Sequence, residues 1–353
     1  MAQQQQDNLL SKNEAAGNAR AKYGDMTPRE NMMAILEGRQ PDYYSNFMEA
    51  LVMIPDPVLM RDRCPADGQE HPDVWGTTWV RIPGSPGAHP HVTDENASIK
   101  DIENWKEELT IPTVEGLDWT MAEEMAAKVD RKEKFVSFLC SAGLFERSHH
   151  LMGMENAFCN YLEYPDEMEE LLTAIADFKI AQIRETAKHI HPDVIFYHDD
   201  WGSKQNLFLP PSVWREMIKP QQQRISDVIH ECGMLYVHHA DCICQPIVED
   251  MVEIGIDIWQ GVIPENDIVE IQRITDHKLP MIGGIDGALL NTEGVTKEQI
   301  KAEIHRAIDT YCPGGYFYPA LPNTSLYNAE NDAYFQKELG DYGHQWAVEH
   351  PIK

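Results

Sequence analysis

The sequence predicts an α/β fold, a single (β/α)8 TIM barrel with an N-terminal helical arm and a Pro/Gly/aromatic-rich insertion. Short apolar runs alternate with amphipathic helical segments, a pattern typical of βαβ units in a parallel sheet. Six such runs and an early pair favour closure into a barrel, and no Gly-rich nucleotide motif favours an open sheet. The early pair lies in YYSNFMEALVM, and the later strands are KFVSFLC, DVIFYHDD, MLYVHHAD, IDIWQGV, PMIGGID and GGYFYPA.

Changes in composition give the expected boundaries. Residues 1–25 are polar and rich in Gln and Asn, so we expect an arm there rather than core. Residues 26–345 are the barrel, and 346–353 are a C-terminal tail. Within the barrel, residues 60–112 are dense in Pro, Gly and aromatic side chains and contain the alternating segment WGTTWVRI. We interpret 60–112 as an insertion that covers one end of the core.

Helix signals separate the strands. In MTPRENMMAILEG, Thr27 is a candidate N-cap, Pro28 occupies the first helical position and Gly38 ends the helix. The later helical patterns are PDEMEELLTAIADFKIAQIRETAKHI, PSVWREMIKPQQQRISDVIHECG, CQPIVEDMVEIG and TKEQIKAEIHRAIDTY.

Charge and composition exclude several kinds of partner. The 353 residues carry a formal net charge of -29, which repels phosphate backbones and anionic lipids, so we expect no nucleic-acid partner. There is no apolar run of about 18 residues and no secretory leader, so we expect no membrane association and a cytoplasmic location. The seven cysteines are scattered and odd in number, which predicts free thiols.

Polar and titratable side chains follow successive strands, where the active sites of such barrels lie. This convergence at one end of the sheet predicts an enzyme. The candidates at the strand ends are His198, Asp199, Asp200, Trp201, His238, His239, Asp241, Cys242, Trp259, Gln260, Asp286 and Tyr318.

Several candidates also have a purely structural interpretation. For one of the two aspartates, Asp199 or Asp200, capping of the next helix is as good an interpretation as a role in the site. Neighbouring residues in a strand point to opposite faces, so only one of His238 and His239 is expected in the pocket. Cys242 is either an inert buried thiol or a ligand, and the tryptophans either wall a pocket or fill the core.

A further histidine group follows the strand KFVSFLC. The segment FERSHHLMGMEN carries Glu146, Arg147, His149 and His150. We expect this stretch to overhang the barrel mouth and to form part of a substrate lid.

Five segments occur in unbroken order between about residue 26 and residue 340. They are MTPRENMMAILEG, LFERSHHLMGMENAFCNYLEYPDEMEELL, YHDDWGSKQNLFLPPSVWREMIKP, HHADCICQPIVEDMVEIGIDIWQGV and PMIGGID. In these segments the chain resembles the uroporphyrinogen decarboxylase superfamily, and more narrowly its cobalamin-dependent methyltransferase or O-demethylase branch. The resemblance implies one TIM barrel with its pocket at the carboxyl ends of the strands.

The chain departs from two activities of this superfamily. Porphyrinogen decarboxylases carry an arginine-rich substrate motif, whereas the matching segment here has only Arg61 and Arg63. The zinc-bearing thiol methyltransferases use His-x-Cys and a distal cysteine. His239 matches that histidine, but Asp241 replaces the cysteine and the distal segment YFYPALPNTSL contains none. The lack of further arginines disfavours porphyrinogen decarboxylation. The lack of both cysteines disfavours thiol methyl transfer, because soft thiolates hold the zinc ion in those enzymes.

The remaining role implied by the resemblance is methyl transfer from a methyl ether, such as a methoxylated aromatic compound, to cob(I)alamin. The cobalamin would be bound to a partner corrinoid protein. This chain itself has a homodimer as one option for its assembly. The alternatives are a decarboxylase of a small carboxylated substrate and a methylcobalamin:thiol methyltransferase.

Four residues are assigned to catalysis as proton donors or hard metal ligands. They are His239, Asp199, Asp200 and Asp241. If zinc is present, the expected ligands are His239, Asp241 and Cys242. The expected substrate contacts are His198, Trp201, Trp259, Gln260, Asp286, Tyr318, His149 and His150.

Relatives with O-demethylase activity are described with a zinc pattern Glu-x14-Glu-x20-His, which Glu155, Glu170 and His191 match. Residues 166–189 are expected to form one helix running away from the active end. At about 1.5 Å per residue, the helix would separate Glu170 from His191 by roughly 30 Å. We therefore expect no shared metal site in this triplet.

Overall fold

The computed structural model describes residues 22–58, 64–83, 87–322 and 325–352. The strands are, in chain order, β1 (Leu51–Ile54), β2 (Glu70–Pro72), β3 (Thr78–Val80), β4 (His89–Pro90), β5 (Phe135–Cys140), β6 (Val194–His198), β7 (Leu235–His239), β8 (Ile258–Val262), β9 (Met281–Gly284) and β10 (Phe317–Ala320). Seven of them form a parallel sheet in the order β1-β5-β6-β7-β8-β9-β10. The α/β prediction is confirmed, although the described residues supply seven parallel strands where eight were expected.

Helices connect the strands of this sheet. They are α1 (Pro28–Leu36), α2 (Trp105–Glu108), α3 (Thr120–Ala127), α4 (Leu144–Met152), α5 (Met154–Glu163), α6 (Pro165–Ile190), α7 (Pro211–Met217), α8 (Lys219–Glu231), α9 (Val248–Glu253), α10 (Ile268–Ile274), α11 (Gly287–Leu290), α12 (Lys297–Tyr311) and α13 (Ala329–Glu349). Short 3₁₀ turns occupy Phe47–Ala50, Ile102–Asn104 and Gln245–Ile247.

The strands are apolar because the sheet is covered on both faces. In β8 every residue is buried, and in β5 only Leu139 is partly exposed. This is the burial expected of parallel strands flanked by helices, and it explains why the strands appear as continuous apolar runs. The early segment forms a 3₁₀ turn followed by β1 alone, so only one strand of the expected pair is present in the described residues.

The long helix α6 fixes the distance between two predicted metal ligands. It runs unbroken for 26 residues and ends at His191, which adopts a left-handed conformation with φ of 43°. The prediction of one helix over this stretch is confirmed. Glu170 lies in its second turn, close to the opposite end from His191.

The insertion contains its own small sheet. Strands β2, β3 and β4 pair antiparallel, which confirms the hairpin strand expected in WGTTWVRI. The insertion packs on two helices: Trp75 contacts Phe178 of α6 edge-on at 4.9 Å, and the Ile99 amide donates to the Leu151 carbonyl of α4 at 2.9 Å. It therefore lies against α4, the helix that follows β5.

The last helix extends beyond the expected end of the barrel at residue 345. It continues to Glu349, and Trp346 is buried against the ring of Tyr44. Residues 346–349 therefore belong to a packed helix. None of the helices in the described residues is long and apolar enough to cross a membrane.

The start of α1 has Thr27 as its N-cap, as expected from the sequence, and Glu30 completes a capping box. The Glu30 amide donates to Thr27 Oγ1 at 3.1 Å, and the Thr27 amide donates to Glu30 Oε2 at 2.9 Å. We expect Thr27→Ala to lower the free energy of unfolding by about 1 kcal/mol, because an orphan helix amide loses its acceptor. Chemical denaturation measures this change. Thr110→Ala, at an exposed position outside any helix, is the control, and equal effects of the two variants would contradict the capping role.

Candidate functional site

The carboxyl ends of β6 and β7 bring two histidines together. His198 is the last residue of β6 and His239 the last of β7, and the two are register partners. Their rings stack with centroids 4.3 Å apart and an interplanar angle of 28°. Because register partners in a parallel sheet point to the same face, strand pairing fixes this contact.

A carboxylate completes the cluster. His198, Asp200 and His239 each offer one ligand atom, and these atoms lie within 4.8 Å of one another. Within the part of the chain that the structure describes, no other group of three His, Cys, Asp or Glu side chains meets this condition. His239 is buried, whereas His198 and Asp200 are partly open to solvent.

Helix α4 supplies a partner for His198. The ring nitrogen Nδ1 of His198 donates to Glu146 Oε2 at 2.9 Å. The Glu146 side chain is only 12% exposed, whereas that of His198 is 33% exposed. The sequence placed Glu146 in the lid segment, but it gave no reason to pair it with His198.

The two histidines have opposite pKa shifts. Burial lowers the pKa of His198, but the charge and hydrogen bond of Glu146, together with the nearby aspartates, outweigh burial and raise it to about 9. Burial and then the charge of His198 lower the pKa of His239 to about 4. At neutral pH the site therefore contains one imidazolium and one neutral imidazole.

His239 is oriented by Gln260. Its Nδ1 donates to Gln260 Oε1, and the Gln260 amide is 3.5 Å from the Pro322 carbonyl. A Cβ at Gly261, which has φ of 98°, would lie 3.2 Å from the His239 ring. With Nδ1 occupied, Nε2 is left as the free lone pair of His239, the arrangement common in histidine metal ligands. Gln260, expected to contact substrate, acts here through His239.

His238 points to the opposite face, as strand alternation predicts. It is fully buried and stacks on Trp201 with ring centroids 3.9 Å apart. Its Nδ1 accepts from the Tyr236 hydroxyl at 3.0 Å, and its Nε2 donates to the Asp199 carbonyl at 3.2 Å. His239 is thus the pocket histidine, and His238 is part of the core.

Asp199, assigned to catalysis from the sequence, caps a helix in the structure. Its carboxylate accepts from the amides of Phe145 and Glu146 at the start of α4, and from Trp201 Nε1. It is completely buried, and burial together with the charge of Glu146 raises its pKa to about 7. Of the two adjacent aspartates, Asp200 lies in the cluster and Asp199 binds the first amides of α4.

The two tryptophans expected to face a substrate ring are core residues instead. Trp201 and Trp259 are 1% and 0% exposed. Their indole nitrogens donate to Asp199 and to the Ala240 carbonyl, respectively. These large aromatic side chains fill the space between the sheet and its helices.

Two other expected substrate contacts have structural partners. Asp286 caps α11 by accepting from the Leu289 amide. The Tyr318 hydroxyl is 3.4 Å from Ser45 Oγ, and the Tyr318 ring meets Tyr44 edge-on. Both side chains therefore have partners within the fold, and their assignment to substrate binding stays a prediction.

The two histidines of α4, expected to contact substrate, are largely buried. Burial lowers the pKa of His149 to about 4, and the charge of Asp200 acts in the opposite direction. Burial also holds the pKa of His150 well below its ordinary range. The His150 ring contacts His149 and Trp79 edge-on, at 4.5 and 5.3 Å.

The zinc ligands expected from the sequence are only partly right. Cys242 is buried with its sulfur 3.5 Å from that of Cys244, and it is not part of the cluster. Asp241 lies nearby: its amide donates to Asp200 Oδ1, and burial together with the charge of Asp200 raises its pKa to about 7. The ligand atoms that converge are those of His239, His198 and Asp200.

The residues of the alternative triplet have other partners in the structure. Glu170 pairs with Lys106, and the His191 carbonyl accepts from Arg131. Neither Glu170 nor His191 belongs to a metal-binding group in the described ranges, and Glu155 does not either. Arg61 and Arg63 lie outside the described residues.

Comparison with known proteins identifies the family. Residues 84–318, well over half of the chain, match the family model described as Uroporphyrinogen decarboxylase (URO-D). The chain belongs to the uroporphyrinogen decarboxylase family. Its curled sheet of parallel strands is the TIM-barrel type of fold of that family.

A solved structure of a methyltransferase from Methanosarcina mazei has a similar fold. It matches 90% of this chain and 99% of its own length, with a TM-score of 0.63 and 14% sequence identity. At this identity the likeness is evidence for a shared fold. A search of curated proteins gave no significant match.

The opposite charge states of the two histidines depend on Glu146. In metal-free protein, Glu146→Gln should lower the pKa of His198 from about 9, because burial is then opposed only by the charges of the nearby aspartates. The pKa of His239 should rise, because a neutral His198 no longer repels its protonated form. NMR titration of the ring protons measures both. Glu338→Gln, beside the distant His305, is the matched control, and an unchanged His198 titration in Glu146→Gln would refute the pairing.

Proposed function

We propose that this chain is a methyltransferase that moves a methyl group from a methyl ether to the cob(I)alamin of a partner corrinoid protein. A methoxylated aromatic compound is the proposed donor class. The observation that carries the proposal is the cluster of His198, Asp200 and His239 at the carboxyl ends of β6 and β7. The fold shared with a methyltransferase agrees with it.

The reaction requires activation of the leaving oxygen. A phenoxide leaving group has a conjugate acid with a pKa of about 10, so direct displacement of the methyl group is slow. A positioned proton donor typically accelerates such a step by about 10²–10⁴-fold. The site has a suitable donor, because His198 is protonated at neutral pH and Glu146 holds its Nδ1 proton. The Nε2 proton is then the one that His198 can present to an ether oxygen.

The same side chains fit a zinc ion. Two imidazoles and one carboxylate are ligands that zinc accepts, and catalytic zinc sites commonly use three protein ligands with one open position. The lone pair of His239 at Nε2 is free, since Gln260 occupies Nδ1. A zinc ion held by this set would act as a Lewis acid on the leaving oxygen. In that case His198 and Asp200 would be ligands, and the metal would take the place of the His198 Nε2 proton at the leaving oxygen.

The composition of the cluster favours an ether over a thiol or a polycarboxylate. Thiol activation by zinc relies on soft thiolate ligands, and the cluster contains none. Glu146, Asp200 and Asp241 surround the pocket with carboxyl groups, which would repel the carboxylates of a porphyrinogen. The corrinoid partner is proposed to dock over the face formed by the carboxyl ends of the strands, beside the insertion.

A methyl-transfer assay tests the function. The protein is mixed with a corrinoid protein in the cob(I)alamin state and a panel of methoxylated aromatics, and methylcobalamin formation is followed by absorbance. We expect Asp200→Asn and His239→Ala to lower kcat/KM by about 10²–10⁴-fold, because the leaving oxygen loses its activation. His305→Gln, at a distant surface position, should retain activity. Release of carbon dioxide from a carboxylic acid, with no methylcobalamin from any donor, would favour the decarboxylase alternative.

Metal analysis tests the ligand set independently of activity. We expect about one zinc per chain, and Asp200→Asn should weaken zinc binding by at least tenfold, because it removes the only carboxylate of the set. Equilibrium dialysis measures the affinity. His191→Asn is the matched control, since it alters the alternative triplet and tolerates the left-handed backbone. Loss of zinc in His191→Asn with retention in Asp200→Asn would reverse the assignment.

A further inference from the structure

A buried ion pair joins α4 to the insertion. Arg147 of α4 and Asp73 of the insertion have side chains that are 1% and 7% exposed, and Arg147 Nη1 is 3.0 Å from Asp73 Oδ2. The same Nη1 donates to Thr77 Oγ1 at 3.1 Å, and the guanidinium lies over the Trp75 ring at 5.0 Å from its centroid. Two segments far apart in sequence therefore meet at a single charged contact.

Asp73 is saturated with hydrogen bonds. Its Oδ1 accepts from the amides of Trp75 and Thr77, both at 2.9 Å. Its Oδ2 accepts from Trp79 Nε1 at 3.0 Å as well as from Arg147. The carboxylate thus organises the hairpin of the insertion and holds the arginine at the same time.

Another side of α4 faces the cluster. Glu146 directly precedes Arg147, and consecutive helix residues point about 100° apart because a turn contains 3.6 residues. Glu146 reaches His198, while Arg147 reaches Asp73. Rotation or displacement of α4 would therefore change both contacts together.

We propose that Asp73 is a positioning residue: by holding Arg147, it fixes the rotation of α4 and so sets Glu146 against His198. The attraction within a buried ion pair offsets little more than the free energy lost when its two charges are desolvated. Its main effect is therefore to select one geometry rather than to add stability. A supporting contact of this kind keeps a functional side chain within a fraction of an ångström of its position. The inference concerns the geometry of the site and does not depend on methyl transfer.

The hydrogen bond from His198 to Glu146 provides the readout. In metal-free protein labelled with ¹⁵N-histidine, the His198 Nδ1 proton should appear downfield and exchange slowly with water, and His198→Gln assigns it by its loss. We expect Asp73→Asn to speed this exchange at least tenfold, because an amide has only one acceptor oxygen and cannot accept both from the Trp75 and Thr77 amides and from Arg147 and Trp79. Asp177→Asn, which removes the exposed ion pair with Arg224, is the matched control and should leave the exchange unchanged.

A double variant separates positioning from stability. Asp73→Asn leaves an unpaired buried charge, whereas Asp73→Asn with Arg147→Met removes both charges and should recover the thermal midpoint. We expect the double variant to keep the fast exchange of the His198 proton, since the contact that orients α4 is still missing. Wild-type exchange in the folded double variant would overturn the proposal.

Discussion

The pairing register of β6 with β7 is the constraint on which the site depends. It places the last residue of one strand beside the last residue of the other, so His198 and His239 stack face to face. A shift of one residue would turn His239 into the core and bring His238 into the pocket. The aromatic packing of His238 on Trp201 and its two hydrogen bonds oppose that shift.

Two adjacent imidazoles can coexist because their surroundings differ. Glu146 neutralises the charge of His198, whereas His239 has only the neutral amide of Gln260 at its Nδ1. Burial alone would favour the neutral form of both rings. Because Glu146 binds His198 and Gln260 binds His239, His198 is a proton donor and His239 is a ligand with a free lone pair.

Helix α4 connects the cluster to the rest of the molecule. Asp199, which follows β6, caps its first turn, and Asp73 of the insertion holds Arg147 on another side of the helix. The same helix presents Glu146 to His198. Buried carboxylates are costly, and here each one is satisfied by amides or by a cation, so it fixes geometry near the reactive groups.

Local patterns in the sequence determined the strands, the long helix α6, the N-cap of α1 at Thr27 and the strand ends at which the site lies. Strand alternation also predicted that only one of His238 and His239 faces the pocket. The choice between Asp199 and Asp200, the pairing of Glu146 with His198 and the burial of Trp201 were decided by the tertiary structure. Each depends on contacts between residues distant in the chain or on the direction of a loop, and periodicity describes only which face of its own element a residue occupies.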